Sequence, residues 1–287
     1  MDLAELSGQI KTKSFQNNFE KVIPPKTRGI LNEMSISEIE KLLNAIFTDT
    51  VNLKDGISWL LYDLYYISAW YDLFNKLSLP TDMSIYEIAT GDIIYVPQAL
   101  DIYSANRGKY VTLNLNKELS KNFVSKIANL DVNIRIIEDN GINILNYYNE
   151  NTFAVVAFQH AINDIIQTII AEIEGIDTLN NNWWQIEPQM LRAVYTRYKA
   201  GKLKDTAYEK FIGIIKMCYQ SLKKGGYMIF NNCTFNNDFN EEDYSLDFHS
   251  LYINMAREWI VEADLGLEEV DMKGYQSKWW MILKKKT

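Results

Sequence analysis

A chain of 287 residues, 47% hydrophobic and 23% charged, has the material for a full α/β core, so disorder is not the default. Its formal net charge of −8 argues against nucleic acid or an anionic membrane as the main partner, because phosphate binding asks for a basic face. The only cysteines, Cys218 and Cys233, fit neither a disulfide scaffold nor a zinc site, which favours a reducing compartment.

The first residues, Met1-Asp2-Leu3-Ala4-Glu5, carry no basic stretch followed by an apolar one, and no window is long and apolar enough to span a bilayer. The expectation is a cytoplasmic protein. Residues 1–80 read as helical. Ser35-Ile36-Ser37-Glu38 is a capping box, after which Ile39, Leu42, Leu43 and Ile46 fall on one face. A longer helix is expected from about Gly56 to Leu77. Its aromatic residues, Tyr66 and Trp70 among them, fall on more than one face. Such a helix either packs against the sheet domain, buried on two sides, or walls an acceptor pocket. Ser78-Leu79-Pro80-Thr81 then marks a boundary between an N-terminal helical cap (1–80) and the rest (81–287).

Met83 to Asp101 organises the rest of the chain. Met83, Ile85 and Ile88 suit a buried strand, Gly91-Asp92 breaks it, and Val96, Ala99 and Leu100 resume at helical spacing. Strand, glycine turn and helix start bring backbone N–H groups and a helix N-terminus up to a ligand. Lys109–Leu115 reads as a second strand, Glu118–Leu130 as its crossover helix and Val132–Ile137 as a third strand. Phe153–Phe158 is a continuous apolar run of the kind found in central parallel strands, and it delivers Gln159-His160 to the sheet edge. Residues 175–206 exceed what a crossover needs and are expected to form an insertion above the sheet, carrying Trp183 and Trp184. The helix Tyr208–Leu222 is expected to stop at Lys223-Lys224-Gly225-Gly226, before a fifth strand at Tyr227–Phe230. Tyr244–Leu265 reads as mostly helical, and Leu267–Val270 with Trp279–Leu283 as a terminal strand pair. The whole implies a doubly wound, mostly parallel, seven-stranded sheet.

Glu87-Ile88-Ala89-Thr90-Gly91-Asp92, the glycine pair before the fifth strand and this order of elements resemble the class I S-adenosylmethionine-dependent methyltransferases. The resemblance covers about residues 83–287 and implies a Rossmann-like fold with a late antiparallel strand, and S-adenosyl-L-methionine as cofactor. It places Glu87, Ala89 and Gly91 at the amino-acid and sulfonium end of that cofactor. Asn114 stands where the family usually has a ribose-binding acid, Asp139 and Asn140 fall at the adenine, and Phe158 and Gln159 lie at the end of the fourth strand. His160 occupies the position of a catalytic or acceptor-facing group, where an imidazole can take a proton; Asp164 could orient it. His249, the other histidine, is a weaker candidate.

Tyr66, Trp70, Trp183 and Trp184 would meet the acceptor, favouring a flat, apolar or cationic small molecule methylated on oxygen or nitrogen. The chain lacks the Asn-Pro-Pro-Tyr type of box, and too few acids cluster for a metal, so none is expected. Neither nucleic acid nor membrane is expected as a partner, and whether the chain pairs as a homodimer is left open. Two rivals stand. A methyltransferase-like binding protein without catalysis is suggested by the single-glycine loop and the missing acid of the second strand. A nicotinamide-dependent oxidoreductase is disfavoured by the lack of a full Gly-x-Gly-x-x-Gly.

Overall fold

The apolar run after Thr152 forms strand β4 (Phe153–Gln159), buried at every position. It pairs in parallel with β1 (Ser84–Ile88) on one side and with β5 (Leu222–Asn231) on the other. Outside β1 lie β2 (Lys109–Leu113) and β3 (Asn133–Ile137); outside β5 lie β7 (Trp280–Lys285) and β6 (Leu267–Glu269). The seven strands take the order β3-β2-β1-β4-β5-β7-β6, with β7 antiparallel to both neighbours. The computed structural model describes residues 1–48, 50–235, 248 and 250–286. His249 and the start of the helix expected from Tyr244 lie outside the described residues.

Alternation along the strands sorts the core into two layers. Ile85 and Tyr110 turn to one face, against α5 (Gly56–Lys76), α6 (Tyr95–Ser104) and α7 (Lys117–Lys126), where Trp70, Leu100 and Phe123 meet them. Tyr86, Ile88 and Phe158 turn to the other, against α8 (Ile162–Glu174), α10 (Leu203–Ser221) and α11 (Tyr252–Ala263), with Ile166, Phe211 and Trp259. Between α8 and α10 the chain forms α9 (Trp183–Lys199), which packs on α8 within the segment expected as an insertion.

The N-terminal helices α1 (Leu3–Ile10), α2 (Lys13–Asn18), α3 (Pro25–Glu33) and α4 (Ile36–Ile46) continue the first layer. The capping box of α4 forms as expected, Ser35 Oγ accepting from Glu38 N and the Glu38 carboxylate from Ser35 N. Ile39, Leu43 and Trp70 share one apolar cluster with Ile85, Val155 and Ile282, so residues on both sides of the exposed turn at Pro80 contribute to a common core. Among the described residues no helix is long and apolar enough to cross a membrane.

One local expectation is corrected. The helix ends at Ser221, close to the expected Leu222, but β5 starts at Leu222 rather than Tyr227 and takes in Lys223-Lys224-Gly225-Gly226, because Leu222 is already extended and pairs with Phe153. A Cβ at Gly226 would lie 2.8 Å from the Ala154 carbonyl, so glycine there permits close strand approach through the irregular pairing.

Candidate functional site

The turn between β1 and α6 is built from left-handed residues. Ala89 has φ +52° and Gly91 φ +57°, separated by Thr90, whose hydroxyl donates to the Ile93 carbonyl. At Gly91 an added Cβ would meet only Leu119 at 3.7 Å, so the dihedral rather than space favours glycine. Ala89 holds the same conformation with a side chain, a strain of about 1–2 kcal/mol.

This turn borders a cleft of about 380 Å³ at the C-terminal edge of the sheet, within the range of small-molecule sites. The end of β2 and the 3₁₀ turn Gly141–Asn146 form one wall, and α8, α10 and Trp183 the opposite one. Ala89, Gly91, Asn114, Asn140 and Trp183, expected from sequence, all line it. Asn114 donates Nδ2 to the Gly91 carbonyl at 2.7 Å, tying the end of β2 to the turn. With its amide nitrogen committed there, Asn114 has its oxygen to offer a ligand hydroxyl. Asn140 caps the 3₁₀ turn, its Oδ1 accepting from Ile142 N. Gly141 lets that turn approach the sheet, since a Cβ would stand 2.6 Å from Ile88.

No family model matches the sequence, and no curated protein does. Solved structures do resemble the chain. A SAM-dependent methyltransferase from Aquifex aeolicus matches at 12% identity and TM-score 0.42, over 75% of this chain and 87% of that one. An S-adenosylhomocysteine-bound methyltransferase from Podospora anserina matches at 11% identity and TM-score 0.45, over 82% of this chain and 83% of that one. The precorrin-6y C5,15-methyltransferase of Geobacter metallireducens matches at 12% identity and TM-score 0.42, over 77% and 87%. Likeness at this level says nothing of activity, which rests on this chain's own site.

Other expected residues lie away from the cleft. Glu87 alternates with Ile88 and therefore faces the α5–α7 layer, fully buried, where Tyr110 donates to its Oε2 at 2.6 Å. Its Oε1 has no partner among the described residues, and burial pushes its carboxyl up to about 8. The Asp139 carboxylate is taken by Asn143, Tyr147 and Asn140 N, which hold it below the ordinary carboxylate range. It shapes the turn beside the cleft without lining it. Phe158 stacks on Phe230 at 4.1 Å in the core. Trp70 and Tyr66 are fully buried in the opposite layer: Trp70 Nε1 donates to Gln159 at 2.7 Å, and the Tyr66 hydroxyl sits beside the Cys233 thiol. Trp184 is 60% exposed, one step around the helix from Trp183.

His160 follows β4 directly with φ +53° and accepts from Cys233 N through Nδ1 at 3.4 Å. That bond leaves the ring proton on Nε2, and burial pulls the imidazole down to about 4, so it is neutral at physiological pH. The ring faces Phe235 rather than the cleft. Asp164 turns into the cleft and accepts from the Asn163 amide at 2.7 Å.

The cleft is acidic. Asp164, Glu172 and Glu209 line it against Lys210 alone, and Lys210 is paired with Glu172 at 2.8 Å. Burial, and Glu187 nearby, push Asp164 well above the ordinary carboxylate range; burial raises Glu187 to about 7. With Lys210 paired, the lining offers no free cation to a pyrophosphate. Gly141, which lines the cleft, escaped sequence reasoning; the available signal was the Asn-Gly pair at 140–141. Among the described residues no three His, Cys, Asp or Glu gather as metal ligands.

Proposed function

We propose that the chain is a methyltransferase that binds S-adenosyl-L-methionine in this cleft and passes the methyl group to oxygen or nitrogen of a small molecule. The observation that carries the reading is the cleft itself: a left-handed turn after β1, two asparagines at the ends of β2 and β3, and carboxylates with no unpaired cation. That donor set fits a nucleoside bearing a sulfonium and an ammonium. When bound, this cofactor supplies an electrophilic methyl carbon on sulfur. The residues of the chain then do the rest. Asn114 Oδ1 accepts from a ribose hydroxyl, the Gly141 turn and Ile165 bracket the flat base, and the Ala89–Gly91 backbone borders the amino-acid end. Positioning, worth orders of magnitude in such displacements, supplies most of the rate. The His160 ring faces Phe235 and does not line this cleft, so the transfer is read without it as a base.

The acidic lining argues against a dinucleotide, whose pyrophosphate would meet carboxylates. The burial of Glu87 behind the sheet favours, as a second reading, a protein that keeps the fold and binds without transfer. Calorimetric titration tests both. Micromolar binding of S-adenosylhomocysteine with no heat from NADH is expected; binding of NADH alone would overturn the proposal. Binding of the nucleoside without turnover of any acceptor tried would favour the second reading.

A further inference from the structure

We propose that Asn116 is a positioning residue that clasps the α8–α9 connection to the end of β2, closing that end of the cleft, so that a bound nucleoside is released as the clasp opens. This rests on the methyltransferase reading and adds to it the residue that governs release.

The clasp is made by two helix caps that reach across to one another. Asn116 is the N-cap of α7, its Oδ1 accepting from Leu119 N at 3.0 Å. Its Nδ2 turns the other way and donates to the carbonyls of Thr178 at 2.9 Å and Asn181 at 3.0 Å, in the segment that leads into α9. Asn182 is the N-cap of α9, its Oδ1 accepting from Gln185 N at 3.2 Å. Its Nδ2 reaches back to the Glu118 carboxylate in the first turn of α7, at 2.9 and 3.0 Å. Each cap thus gives its oxygen to its own helix and its nitrogen to the start of the other. Between them Lys117 donates its backbone N–H to the Leu179 carbonyl at 3.4 Å and its ammonium to Asn180 Oδ1 at 3.0 Å.

Asn116 and Thr178 both line the cleft, one after β2 and the other after α8, so the bond between them joins its two walls. Leu119, Ala171, Trp183 and Met190 pack together at the same joint as an apolar cluster of their own, apart from the two large cores. Leu119 lies 3.7 Å from where a Cβ on Gly91 would stand, which puts the joint beside the turn after β1. The strength of the clasp is concentrated at one residue. Asn116 is buried, whereas Glu118 and Asn180 are exposed and their polar contacts count for little in water. A joint held by two buried hydrogen bonds and a small apolar cluster falls at the low-stability end of a fold, from which segments that open for ligand exchange are drawn.

The test follows release of S-adenosylhomocysteine from the immobilised full chain by surface plasmon resonance, beside the melting temperature. Asn116→Ser keeps a good N-cap for α7 and removes the amide nitrogen. Release is expected to quicken about tenfold. Glu118→Ala, at an exposed position, is expected to quicken it about threefold at an unchanged melting temperature. Glu118→Gln, which leaves an oxygen for Asn182, is expected to restore the parent's rate. A fixed wall would cost stability when altered and leave release alone, so unchanged release in both Asn116→Ser and Glu118→Ala would overturn the proposal. In the ligand-free protein, deuterium exchange over residues 175–183 is expected to be faster in Asn116→Ser; exchange equal to the parent's would also overturn it. Failure of the parent to bind S-adenosylhomocysteine would instead overturn the methyltransferase reading, and the exchange measurement tests the clasp separately from it.

Discussion

Buried between β2 and β4, the Glu87 carboxyl has the Tyr110 hydroxyl for one oxygen and no partner for the other. Among the described residues no cation offsets its burial, which lifts its pKa to about 8, against roughly 4.3 in an unfolded chain. Between those values the folded protein holds one proton more than the unfolded one, so this group's stabilisation is full in acid and is lost as pH rises. Glu87→Gln removes that dependence. Thermal unfolding across roughly pH 5 to 9 should show the variant gaining on the parent steadily as pH increases. A melting-temperature difference that stays constant over the range would mean that Glu87 is ionised throughout. The strand parity that hides Glu87 was legible, since Ile85 and Glu87 alternate with Tyr86 and Ile88. Which face carried the cleft was not, because that depends on helices far along the chain. Trp183 and Trp184 show the same limit: adjacent on a helix, they diverge by about 100°, and only packing on Leu119, Ala171 and Met190 selects the buried one.

At the scale of elements, α5 explains why an aromatic helix could be read two ways. Its length and its burial on more than one face followed from residue pattern, and it runs Gly56–Lys76 against the expected Gly56–Leu77. Whether those rings wall a substrate or fill a core turned on Gln159, 89 residues away, which takes the Trp70 N–H and passes its own amide to Asn231. Asn231 in turn donates to the Trp279 carbonyl, so one buried polar chain fastens α5 to β4, β5 and the approach to β7. Trp70→Phe keeps most of the ring volume but strands the Gln159 carbonyl without its donor. Chemical denaturation should show a loss of about 1–3 kcal/mol with an unchanged m-value. A loss below about 0.5 kcal/mol would show that the chain of bonds is ornamental to stability. The start of β5 was placed too late for a related reason: the lysine-glycine run suits the helix end that precedes it, yet pairing of Leu222 with Phe153 claims the run for the sheet.

For the whole molecule, alternation of strand and helix foretold the sheet, and the insertion of β7 between β5 and β6 agrees with the late antiparallel strand that the family resemblance implied. Packing of α5 on that sheet was one of the two readings its aromatic pattern allowed, but that α1 to α4 join the same core was not visible, because apolar faces do not name their partners. The same holds for the acidic lining of the cleft, where Asp164 and Glu172 come from α8 and Glu209 from α10. Above all, this cleft, and no other place on the protein, is expected to receive a nucleoside through Asn114 and the Gly141 turn. A crystal structure of the protein soaked with S-adenosylhomocysteine tests this most directly. The ribose is predicted within hydrogen-bond distance of Asn114 Oδ1, the adenine against Gly141 and the sulfur toward Ala89. Nucleoside density at another site, or a cleft left empty at saturating ligand, would contradict it.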